Sequence, residues 1–275
     1  NEEMIGQSKK RLKFEELFFL QLQILQLKNK RLSAFPGYVF KKSKLLNTFY
    51  KKHLPFNLTE AQKKVIKECY EDMCSGKQMN RLLQGDVGSG KTIVAFMCML
   101  FAIEDRSQIA FMAPTEVLAG QHFKSIKKQA EKLNVSVAVL TGSTKKKDRD
   151  VLLEKLMKGE INILIGTHAL IEKRVRFKKL GLVIIDEQHK FGVAQRAKLW
   201  SKKEKYYPHI LVMTATPIPR TLALTLYGDL DVSVIDELPS GRKKIITSHR
   251  NDNSRLKVFG FINKTSFNFV FSTNI

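Results

Sequence analysis

Tryptophan occurs once, cysteine three times and proline seven times in 275 residues, and acidic side chains are scarce beside basic ones. Each scarcity narrows the field. Cys69, Cys74 and Cys98 are too few for a disulfide framework and lack paired zinc-ligand spacing, so they read as small buried hydrophobes of a reducing compartment. No uninterrupted apolar run approaches the roughly 20 residues of a membrane-spanning helix, and the mean hydropathy is −0.20; no membrane partner is expected. The chain opens Asn1-Glu2-Glu3-Met4, with neither an initiator methionine at position 1 nor an apolar signal region, which points to a fragment rather than a secreted precursor and to the cytoplasm. The shortage of acid is the first functional hint. With 48 Lys and Arg against 26 Asp and Glu, the formal charge is +22, and a polyanion is the expected partner. A lysine-rich composition alone would give the same balance.

What is present is globular: 43% hydrophobic residues in a chain long enough for a large core. Residues 1–58 hold twelve basic and four acidic residues, and Leu17, Leu20, Ile24 and Leu27 recur at helical spacing within Leu12–Leu32, predicting a helix that packs on something. Phe35-Pro36-Gly37 then breaks it. From Thr59 the pattern alternates. Short apolar runs at Arg81–Gln84, Ile109–Ala113, Val135–Leu140, Ile161–Ile165, Leu182–Asp186, Ile210–Thr214 and Val232–Ile235 predict strands, separated by helical or loop stretches. Because these runs are nearly all apolar, both faces should be covered, as in an α/β fold with a mostly parallel sheet between helices.

Gly85-Asp86-Val87-Gly88-Ser89-Gly90-Lys91-Thr92 satisfies G-x-x-x-x-G-K-[ST] between a predicted strand and the helical run Thr92–Glu104. Glycines let backbone N–H groups curl around phosphate oxygens, Lys91 reaches the β/γ-phosphates and the Thr92 hydroxyl can ligate Mg²⁺. A second apolar strand ends in Asp186-Glu187-Gln188-His189. There Asp186 would hold Mg²⁺, Glu187 would deprotonate the attacking water, and Gln188 and His189 would sense the γ-phosphate. ATP hydrolysis is the implied reaction. A third strand ends in Thr214-Ala215-Thr216-Pro217, whose small hydroxyl residues can link the carboxylates to a neighbouring element.

Together these motifs resemble superfamily 2 helicases, and a finer resemblance is to the RecG family of branch-migration helicases. It is carried by Asp186 through Arg196 and by Thr221 through Arg242, and covers roughly residues 10–262. The transcription-repair coupling translocases share the Thr-Ala-Thr-Pro-Ile-Pro-Arg-Thr string and stand as the alternative, as does a nucleotide- or DNA-binding fragment without useful catalysis.

The resemblance implies a RecA-like P-loop domain over residues 56–245, preceded by a helical linker at 1–55 that follows an OB-fold wedge, with 246–275 the start of a second lobe or a divergent tail. Residues 263–275 match nothing expected there, so a truncated or frame-shifted gene is one expectation. The resemblance also implies ATP and Mg²⁺ as cofactors and branched DNA, meaning Holliday junctions and stalled forks, as partner. A single-stranded-DNA-binding protein would be accessory and the setting a bacterial cytoplasm. Pro114 and Thr115 look like one strand-contacting motif, Thr141, Gly142 and Ser143 like a second, and Thr167 and His168 like a third, all gripping phosphates. The Lys145-Lys146-Lys147 run would extend that grip or simply be an exposed helix face. Phe56 through Gln62 resembles the segment in which a glutamine reads the adenine edge. The same Thr59-x-x-Gln62 spacing is also a capping box.

Overall fold

The apolar runs become strands, and the five that lie inside the sheet bury both of their faces. A computed structural model describes residues 2–41, 43–54, 56–187, 206–216, 230–239 and 251–265. Seven strands form one sheet: β1 (Asn80–Gly85), β2 (Gln108–Met112), β3 (Val137–Leu140), β4 (Ile163–Gly166), β5 (Leu180–Asp186), β6 (His209–Thr214) and β7 (Asp231–Ile235). Their order is β3-β4-β2-β5-β6-β1-β7, with every pairing parallel. Alternate residues of a strand enter opposite cores. Ile109, Phe111, Ile163, Ile165, Leu182 and Ile184 join one cluster, while Ala110, Met112, Leu164, Val183 and Ile185 join the other. That alternation within an apolar run is what two covered faces require.

The helices follow the same logic. α1 (Glu2–Ala34) leads, α2 (Lys44–Thr48) and a π-helical turn at Phe49–His53 follow, and α3 (Glu60–Cys74) precedes β1. α4 (Lys91–Glu104) connects β1 to β2, and its residues Val94 through Ile103 are all buried, which explains why it reads as apolar all round. α5 (Glu116–Ala130) follows β2 and α6 (Lys146–Lys158) follows β3. Gly159 stops α6 at φ +83, and the amides of Gly159 and Glu160 satisfy the carbonyls of Leu156 and Lys155.

The expected helix over residues 12–32 is present and ends before Pro36. Its apolar side chains are largely uncovered, with Leu12, Phe14 and Leu17 each more than half exposed, so the expectation that it packs on something is not met within the described residues. The segment after it does pack. Gly37 bridges to Tyr207 and a Cβ there would lie 2.5 Å from the Lys77 carbonyl, while Phe40 and Phe49 enter the core. Residues 1–240 form one compact unit. Residues 241–275 form another, in which a short turn at Asp252–Ser254 leads into α7 (Arg255–Thr265).

Candidate functional site

In an all-parallel sheet every strand delivers its carboxyl end to the same edge, so the loops after adjacent strands share one crevice. β5, β6 and β1 are neighbours, and the loops after them carry Asp186-Glu187, Thr214-Ala215-Thr216 and Gly85–Thr92. The three motifs therefore meet although the first and last of them lie more than a hundred residues apart in the chain.

The loop after β1 is shaped by what its glycines leave out. A Cβ on Gly85 would sit 2.6 Å from the Ser89 Oγ, and one on Gly90 would sit 2.3 Å from the Gln62 Nε2. Gly88 and Gly90 take φ of +79 and +89, a region that favours glycine. Val87 N–H donates to Asp86 Oδ1 at 2.7 Å and Ser89 N–H to the Asp86 carbonyl at 3.1 Å. The Ser89 hydroxyl is buried with no hydrogen-bond partner among the described residues. Lys91 donates through Nζ to the carbonyls of Gly85 at 2.6 Å and Asp86 at 2.9 Å. Burial lowers its pKa from the usual lysine value, against the opposing pull of Asp186, Glu187 and Asp86. The lysine thus feels both carboxylates, which places the loop and the acidic pair in one electrostatic site.

Asp186 ends β5 opposite Met213 of β6. Glu187 follows in the left-handed region at φ +52, and its N–H donates to the Met213 carbonyl at 3.0 Å. Its carboxylate accepts the Ala215 N–H at 3.3 Å, while Thr214 and Thr216 share a hydroxyl bond of 2.8 Å. The Thr214–Thr216 segment accordingly touches the acidic pair directly. Gln188, His189 and Pro217 lie outside the described residues.

Thr59 and Gln62 form the expected capping box at the start of α3. Gln62 is 1% exposed, and its Nε2 also donates to the Ser89 carbonyl at 2.7 Å, so the cap braces the phosphate loop. Glu237, after β7, accepts the Ala61 N–H and adds a carboxylate to the same helix start. Beside it lies a cavity of about 400 Å³ lined by Phe56, Gln62, Gly90, Thr92, Gln129 and Pro239, which sets an aromatic ring and polar side chains next to the loop.

The other half of the edge belongs to β2, β4 and β3. Pro114 and Thr115 follow β2, Thr141–Ser143 follow β3, and Thr167 and His168 follow β4. Thr115 is exposed and caps α5 by accepting the Leu118 N–H. Glu116 bonds the Ser143 amide at 3.1 Å and hydroxyl at 2.7 Å, joining two of the candidate DNA loops, and those bonds lower its pKa from the usual carboxylate value. His168 is exposed, but Thr167 is 2% exposed, so its side chain does not face solvent. Lys145, Lys146 and Lys147 are exposed at the start of α6, beside the Thr141–Ser143 loop.

Three features of this edge escape the sequence: the Glu116–Ser143 clasp, the Ala215 bond to Glu187, and His122. His122, on α5, bonds Asp186 Oδ2 through Nε2 at 2.7 Å. Only its place on one face of α5, seven residues beyond Thr115, signals it beforehand.

The model of the DEAD/DEAH box helicase family matches residues 59–225. The ATP-dependent DNA helicase RecG of Aquifex aeolicus is 49% identical over 250 residues, which are 91% of this chain and 31% of that protein. That of Bacillus subtilis is 48% identical over 95% of this chain and 38% of its own length. A solved structure of RecG bound to a three-way DNA junction superposes with a TM-score of 0.85 at 42% identity, over 96% of this chain and 35% of that one. The chain therefore spans about a third of the length of these relatives.

Proposed function

The chain belongs to the DEAD/DEAH box helicases, and from that premise we propose that it is the ATP-binding motor lobe of a RecG-type helicase acting on branched DNA. In the longer protein it would drive branch migration of Holliday junctions and regression of stalled forks in repair and recombination, in a bacterial cytoplasm. A single-stranded-DNA-binding protein is the accessory partner that fits this setting. The observation that carries the proposal is the convergence of Lys91, Asp186, Glu187 and Thr214–Thr216 on one edge of a parallel sheet, with the candidate DNA loops on its other half.

The residues fit ATP with Mg²⁺: the glycine-walled loop leaves room only for backbone N–H groups, Ser89 holds a buried hydroxyl, and Thr92 with Asp186 is a hard oxygen donor pair. When bound, Mg²⁺ would neutralise the phosphate charge that develops during transfer. Lys91 exchanges its loop carbonyls for phosphate oxygens. Glu187, oriented by Ala215, accepts the proton of the attacking water. Phe56 and Gln62 line the base cavity, and Gln62 reads adenine when its amide is released from Ser89. On the other half of the edge Pro114, Thr115, Thr141, Gly142, Ser143 and His168 grip phosphates without reading bases; Thr167 serves through its backbone.

The test is ATP-dependent unwinding of a three-way junction by a full-length protein carrying this lobe. Unwinding of the junction in clear preference to linear duplex, lost in Lys91→Ala, is expected. Turnover indifferent to DNA would overturn the helicase reading.

A further inference from the structure

The metal carboxylate has a partner that the loop motifs do not supply. Asp186 is held by His122 from α5, across 2.7 Å, with the two side chains 12% and 14% exposed. An ionised carboxylate only accepts hydrogen bonds, so the imidazole proton of this contact sits on Nε2. The ring is itself fixed by Phe111 of β2, whose centroid is 4.6 Å away. Phe111 pairs with Ile184, two residues before Asp186, so the histidine's platform and its acceptor belong to adjacent, registered strands.

Two consequences follow from the geometry. The bond takes Oδ2 and so fixes the rotation of a planar carboxylate, which sets where its other oxygen points. It also ties that carboxylate to the helix whose first turn carries Thr115 and Glu116, the latter bonded to Ser143. His122 lies six residues beyond Glu116, about 9 Å along the helix at 1.5 Å per residue. α5 is thus one rigid element that touches the candidate DNA loops at its start and the metal carboxylate a turn and a half later.

We propose that His122 is a positioning residue that orients Asp186 for Mg²⁺ and links the metal site to the DNA-contacting end of α5. The proposal rests on the reading of Asp186 as the metal carboxylate. Hydrogen-bonded partners of ligating carboxylates typically contribute about 10–100-fold in metal affinity, and that is the size of effect expected.

The experiment measures the affinity of the 275-residue chain for a fluorescent non-hydrolysable ATP analogue in Mg²⁺ and in EDTA, and takes the ratio as the gain due to metal. His122→Phe keeps an aromatic ring against Phe111 but has no N–H, whereas His122→Gln restores a donor at similar reach. The metal gain should fall about 10–100-fold in His122→Phe, as in Asp186→Asn, while the affinity in EDTA stays unchanged, and His122→Gln should recover most of it. If His122→Phe keeps the full gain that Asp186→Asn loses, or weakens binding equally with and without metal, the histidine is packing only and the proposal is wrong. If the wild-type chain shows no metal gain, the assignment of Asp186 fails and takes this proposal with it. Circular dichroism confirms that each variant is folded.

Discussion

Glu187 is held three ways: by a left-handed backbone at φ +52, by its N–H on the Met213 carbonyl and by its carboxylate on the Ala215 N–H. A non-glycine residue in that region costs on the order of 1–3 kcal/mol and persists where the surroundings determine it, commonly at functional sites. Glu187→Gln keeps the shape and removes the proposed base. In a full-length protein the variant should bind ATP normally and hydrolyse it at least ~100-fold more slowly; single-turnover measurement checks this, and retained turnover would move the base elsewhere. His209 makes a separate prediction. It is buried, accepts the Met79 N–H at Nδ1 and donates to the Tyr38 carbonyl, and burial pushes its pKa down to about 4. The unfolded chain takes up the proton near pH 6.5 and the folded one only near pH 4, so this contribution is complete above pH 6.5 and is lost as pH falls through that window. By pH 5 about 2 kcal/mol should be gone, read as a lower urea midpoint that a His209→Asn variant does not show. Residues named by a local motif, Lys91 and Asp186 among them, were legible beforehand because the chemistry demands contiguous residues. His122 and the Glu116–Ser143 clasp were not, since each joins side chains that only the sheet order brings together.

At the scale of elements, the seven strands stand where the apolar runs place them, within two residues at each end. β3 starts at Val137 rather than Val135 because the Val135 amide is still bonded to the Ala130 carbonyl at the end of α5. The strand order was not legible, because parallel strands joined by helices do not announce their neighbours in local sequence. Nor was the exposure of α1, whose helical spacing implied a partner. The link between α3 and the phosphate loop gives two tests. Thr59→Ala removes the cap that accepts the Gln62 amide and should lower stability by about 1 kcal/mol, measured by urea denaturation; an unchanged midpoint would mean that the capping box does not hold in solution. Gly90→Ala puts a methyl group 2.3 Å from Gln62 in a left-handed backbone, and should cost nucleotide affinity far more than it costs helix content. Equal affinity would show that the loop tolerates a different shape.

Across the described sheet, one edge is divided: β5, β6 and β1 carry the proposed nucleotide motifs, and β2, β4 and β3 carry the loops proposed to contact DNA. With a formal charge of +22 and hydroxyl- and amide-bearing loops, DNA binding should be independent of sequence and steeply weakened by salt, by roughly 0.9 decade in affinity per decade of salt for each phosphate contact. Anisotropy titrations at several salt concentrations check this, and a flat response would make the charge mere background. The central claim, that the β1–β6–β5 edge is an ATP site, is tested most directly by titrating the chain with a fluorescent ATP analogue in Mg²⁺. Saturable binding by the wild type that is abolished in Lys91→Ala, with circular dichroism unchanged, is the result expected; unchanged affinity in a folded Lys91→Ala protein would contradict it.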